Sequence, residues 1–235
     1  MNHDILLDDA LLLVEQNFYF LHAGAFYAQI SRRSNLSHHF DTTVTKQFED
    51  GSVYHFTPSI ITEILTDAPL VPRGETTLFE YFVEFNAFRG ICMAMVEALR
   101  LESGFRSFLQ ERLTERFEDF VDVLSFIRNV LSHNIHAEIA LSSKDFEGTL
   151  GRIQRMRRNP DILLAFDYSK DLPELCIPSS DYGFTCHVDF STLQSGMPFL
   201  DILSLRKLFL ISEWCFNLVV GYRLQKEEKS SRIMQ

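Results

Sequence analysis

The distribution of apolar residues predicts a mainly α-helical, all-α type bundle of four to five long helices with one small β element. Three observations carry that expectation. Long stretches repeat their apolar residues every three or four positions, the signature of one buried helix face. Between about 161 and 190 the period shortens toward two, and Pro and Ser-Ser-Asp turns punctuate the chain. Twenty-two phenylalanines among 235 residues supply a thick aromatic core without disulfides or metals.

The first helix is expected over 4–31, apolar on much of its surface from Ile5 through Leu13 to Ile30. Residues 31–52, rich in Ser, Thr, His and Asp, read as a loop or short hairpin. Pro58 opens a helical turn over 59–65, which ends before Pro69 and Pro72. A long helix follows, capped by Thr76 or Thr77 with Glu80 completing a capping-box pattern. Its apolar positions Leu78, Phe82, Phe85, Cys92, Val96 and Leu99 run to Leu101, and Ser103-Gly104 breaks it. The next helix has the clearest stripe: Phe105, Leu109, Leu113, Phe117, Phe120, Leu124, Ile127 and Leu131, read as one continuous helix. A two-residue break between two long helices implies an antiparallel hairpin.

Residues 145–157 form a short basic helix stopped by Asn159-Pro160. Ile162 to Tyr168, Glu174 to Ile177 and Tyr182 to Phe190 are strand-like and suggest a small β-hairpin or three-stranded insertion near 161–190. A last helix runs from Phe199 to about Leu224, and 226–235 forms a frayed charged tail. With no linker composition, one domain over 1–235 is expected.

The net charge of −10 argues against nonspecific adhesion to nucleic acid or anionic membrane. The charge is uneven, however. From Arg128 to Arg158 six basic residues face three acidic ones, so that segment is +3 and the remainder −13. Four cysteines without CxxC spacing read as reduced, mostly buried thiols of a cytoplasmic protein. Asp4, Asp8 and Asp9 give the start of the chain the wrong charge for a secretory leader. The longest apolar run, Leu208 to Val220, is too short and too interrupted to span a bilayer, so no membrane is expected among the partners.

One stretch carries chemistry: Arg128-Asn129-Val130-Leu131-Ser132-His133, at the end of the best-formed stripe. An arginine is a permanent phosphate clamp, and a histidine moves protons near neutral pH. The plain alternative is that both complement the negative end of the helix dipole. Ideal helical geometry turns Arg128 about 100° from Ile127 and His133 about 140° further, so the two diverge. They converge only if the helix bends, ends near Ser132, or meets a second copy of itself. Asn129 and His133, four apart, share a face.

The hexapeptide on a helical bundle resembles the HEPN superfamily, whose signature is R-x4-6-H with a polar residue often directly after the arginine. The resemblance covers about 76–136 well and the rest loosely. It implies a homodimer with a composite site that cleaves RNA without metal or other cofactor, in a toxin or antiviral defence setting. In that reading Arg128 binds the scissile phosphate, His133 is general base or acid, and Asn129 orients phosphate or imidazole. A non-catalytic HEPN-like module binding nucleotide, RNA or a protein partner is the alternative, and a helical scaffold a third. Toxins of this family paired with a nucleotidyltransferase antitoxin carry a tyrosine two residues after the histidine. Here Asn134-Ile135 follows His133, which leaves silencing by tyrosine modification unsupported and any antitoxin or regulatory partner unspecified.

Arg152, Arg155, Arg157 and Arg158 could guide RNA through sequence-independent contacts, or could form a solvated face with ordinary ion pairs. His136 lacks a third spaced ligand for a metal, and His38-His39 beside Asp41 reads as a surface pair. Cys186-His187 has no partner motif for a thiol nucleophile, and Ser132-His133 are adjacent on a helix and do not face each other. Glu84 and Glu97 are candidate partners of Arg128 across the hairpin, or simply exposed carboxylates.

Overall fold

The computed structural model describes residues 3–34, 44–56, 78–101, 104–133, 139–176 and 183–233. It is mostly helical with small two-stranded sheets. In order come α1 (His3–Ser34), β1 (Val44–Gln47), β2 (Val53–Phe56), α2 (Leu78–Arg100), α3 (Gly104–Leu113) and α4 (Phe117–His133). Then follow α5 (Ser143–Arg155), β3 (Asp161–Asp167), α6 (Tyr168–Asp171), β4 (Gly183–Asp189), α7 (Phe199–Ile202) and α8 (Leu205–Ile233). Within the span expected to form one domain, compactness distinguishes residues 1–18 with 87–235 from residues 19–86. The expected turn over 59–65 and the caps Thr76 and Thr77 lie outside the described residues.

In the smaller unit, β1 and β2 pair antiparallel from Val44 opposite Phe56 to Gln47 opposite Val53, within and just after the polar stretch. Gly51 takes the positive φ of 83° that the connecting turn needs, and Asp50 accepts from the Ser52 amide at 2.9 Å.

The larger unit holds the expected stripe. Phe105, Leu109, Leu113, Phe117, Phe120, Leu124, Ile127 and Leu131 are all buried. They do not form one helix, however. The α3 helix ends at Leu113, one 3-10 turn spans Thr114–Arg116, and α4 starts at Phe117. Thr114 sits at φ 50°, left-handed backbone unusual for a β-branched residue. Arg116 explains what holds the break: its guanidinium forks onto both oxygens of buried Asp171, at 2.6 and 3.0 Å, and also donates to the Ala165 carbonyl.

The β insertion is a two-stranded hairpin, β3 against β4, with Asp161 opposite Asp189 and Asp167 opposite Gly183. Where a strand is expected from Glu174, the chain instead makes a 3-10 turn over Pro173–Leu175, because Pro173 starts it and Glu174 is drawn to Arg112 at 3.2 Å, while Ile177 lies outside the described residues. Alternation buries Ile162, Leu164 and Phe166 on β3 and Cys186 and Val188 on β4. Phe166 packs 4.7 Å from the fully buried Trp214 of α8 and 5.9 Å from Phe120 of α4. Phe126 of α4 meets Phe190 and Phe199 edge-on at 5.4 and 5.8 Å. The hairpin is thus part of the core, not an appendage.

The last helix also departs from expectation. Leu203 is extended, at φ −124° and ψ 102°, and separates α7 from α8. The charged segment from 226, expected to fray, stays helical through Ile233. Ion pairs of Arg223 with Glu15 at 3.2 Å and Lys226 with Asp8 at 3.9 Å fasten its later turns to α1. No helix among the described residues is long and apolar enough to cross a membrane.

Candidate functional site

The last turns of α4 carry Arg128, Asn129 and His133, and the first turn of α5 lies against them. A backbone tether positions that turn. Leu141 donates to the Met197 carbonyl at 2.9 Å, and Phe199 donates to the Ile139 carbonyl at 2.8 Å. Ser142 then caps α5, and Asp145, three residues on, returns a carboxylate to the Ser142 amide at 2.7 Å and its hydroxyl at 2.9 Å. Asp145 is completely buried.

Three hydrogen-bonded links make one chain of these groups. Arg128 Nε and Nη2 donate to Asn129 Oδ1 at 3.2 and 2.6 Å. Asn129 Nδ2 reaches the Asp145 carbonyl at 3.5 Å. His133 Nδ1 lies 3.1 Å from Asp145 Oδ1, with 53% of its side chain exposed. The divergence of Arg128 and His133 on an ideal helix is therefore bridged by Asn129 and Asp145 within one chain. His133 is the last described residue of α4. The set offers a half-buried guanidinium for an anion and an accessible imidazole for a proton.

The expected RNA-binding arginines separate into two pairs. Arg152 and Arg158 turn inward to the buried carboxylate of Asp122, with Arg152 Nε at 2.9 Å from Oδ1 and Arg158 Nη1 at 2.7 Å from Oδ2. Arg158 also pairs with Asp119. Burial pushes the Asp122 carboxyl above its ordinary range, against the pull of Arg152 and Arg158. This clasp holds α5 along the middle of α4. Arg155 and Arg157 are exposed. Arg157, at φ 55°, is the left-handed residue that closes α5, while Arg158 donates to the Ile153 carbonyl at 3.0 Å.

Asp145 is the residue that sequence reasoning passed over. It stands in the chain as one acid within a basic segment, and the Ser142-x-x-Asp145 capping pattern was its one visible signal. The other candidates scatter. Cys186 faces the core, where burial raises its thiol to about 11, while His187 points outward to Asp161, as strand alternation requires. Ser132 is exposed, and Glu97 pairs with Arg100 at 3.7 Å. Glu84 is buried in the smaller unit. His38, His39 and His136 lie outside the described residues. Among the described residues no group of three or more His, Cys, Asp and Glu is arranged to hold a metal ion.

No family model, curated protein or solved structure matches this chain.

Proposed function

We propose that the chain is an HEPN-like endoribonuclease that cuts RNA without a metal, acting as a homodimer in a toxin or antiviral defence setting. The observation that carries this reading is the hydrogen-bonded chain from Arg128 through Asn129 and Asp145 to His133 at one helix end. It couples an anion-binding group to a proton-transfer group, the minimum that RNA self-cleavage chemistry needs. His133 accepts the proton of the substrate 2′-OH, and that oxygen attacks the adjacent phosphorus. Arg128 offsets the charge that grows on the phosphoryl oxygens. The P–O5′ bond breaks, the 5′-oxygen takes a proton from the second protomer's His133, and a 2′,3′-cyclic phosphate and a 5′-OH remain. Asn129 holds the Arg128 guanidinium in place, and the exposed Arg155 and Arg157 lead the backbone toward the cleft.

A second reading, a non-catalytic module that binds RNA, a nucleotide or a protein partner, draws on the same Arg128–Asn129 pair. A charged fork held by its neighbour binds phosphate with no proton transfer.

Incubating the purified chain with total RNA in EDTA, beside His133→Ala and Arg128→Ala, separates the two. Cleavage to cyclic-phosphate ends, lost in both variants, supports the nuclease. Retained RNA binding without cleavage supports the binding module, and cleavage indifferent to both substitutions sinks the site. A monomer by light scattering at working concentration removes the composite cleft.

A further inference from the structure

We infer that Asp145 is the positioning residue of this site, setting which nitrogen of His133 is free to take the substrate's proton. The inference rests on the ribonuclease reading for its consequence in turnover, but its geometry stands alone. An ionised carboxylate only accepts hydrogen bonds. Its Oδ1, 3.1 Å from His133 Nδ1, therefore requires the ring proton on Nδ1 and leaves Nε2 as the acceptor in the neutral imidazole.

Two features show that the carboxylate directs the ring rather than following it. Its second oxygen is held by the Ser142 amide and hydroxyl at 2.7 and 2.9 Å, so the group cannot rotate. It is also fully buried at the start of α5, where helix-end amides favour negative charge, while the histidine it faces is half exposed. The capping box of α5 thus has a second use: the carboxylate that starts one helix orients the last side chain of another.

The test uses all 235 residues, 15N-labelled, with the His133 ring identified by its loss in His133→Ala. The parent is expected to show His133 protonated on Nδ1, and Asp145→Asn to lose that preference. In RNA cleavage Asp145→Asn should lower kcat by about 10- to 100-fold, a part of the ~10²–10⁴ that a positioned general base contributes, with KM little changed. Ser142→Ala keeps the carboxylate but frees one of its restraints, and should lower kcat by less. An Nε2-protonated ring in the parent overturns the inference. So does a melting temperature lowered in both variants with the His133 tautomer unaltered, which is what helix capping alone predicts. If Asp145→Asn does not fold, the parent tautomer and its loosening in Ser142→Ala decide the matter. A parent that cleaves no RNA, with the Nδ1 proton in place, would sink the ribonuclease and leave the dyad standing.

Discussion

Arg152 and Arg155 lie three residues apart on one helix, yet one is drawn onto buried Asp122 and the other faces solvent. The difference is a carboxylate thirty residues earlier, which would sit buried and uncompensated without Arg152 and Arg158. Burial acts on the thiols as well. It raises Cys92 to about 12 and Cys186 to about 11, pushes Cys215 well up, and leaves Cys176 at the surface. Because the thiolate is the reactive form, the native chain should titrate with Ellman's reagent as one fast thiol, and as four in denaturant. A Cys176→Ser variant that still reacts quickly would contradict this burial. Three of the four thiols are buried, as their apolar surroundings in the sequence predict, and which one stays exposed depends on the turn over Pro173–Leu175.

The break between α3 and α4 hides in the sequence because both sides of it keep the stripe in phase. Leu113 and Phe117 are both buried, and their spacing of four fits one uninterrupted helix. What breaks the helix is tertiary: Arg116 is held by Asp171 and Ala165 of the hairpin region. The strain falls on Thr114, at φ 50°. Left-handed backbone costs a branched residue about 1–2 kcal/mol, and glycine gives back about 0.5–1 in unfolded-chain entropy. Thr114→Gly should therefore stabilise the chain by about 0.5–1 kcal/mol, seen as a higher thermal midpoint by circular dichroism. A lower midpoint would mean that the Thr114 hydroxyl, which donates to the Leu113 carbonyl at 2.8 Å, outweighs the backbone strain. The hairpin strands, by contrast, were legible to within a residue or two, since alternation survives wherever one face is buried.

For the chain entire, a charge of −10 opposes RNA everywhere except where basic residues are left unneutralised. On the proposed ribonuclease reading, removing the exposed Arg155 and Arg157 should lower the salt dependence of single-stranded RNA binding. At about 0.7 per phosphate contact, the slope of log Kobs against log salt should fall by about 1.4 in Arg155→Ala/Arg157→Ala. An unchanged slope would place the RNA elsewhere. Helical class, the buried stripe and the Arg128–Asn129–His133 segment were all readable from residue order, because periodicity and short spacings are local properties of the chain. The partners of that segment were not. Asp145 reaches His133, and Asp122 captures two of the four arginines, only because α5 packs along α4. Contacts between residues twelve to thirty-six positions apart leave no periodic trace in a single sequence.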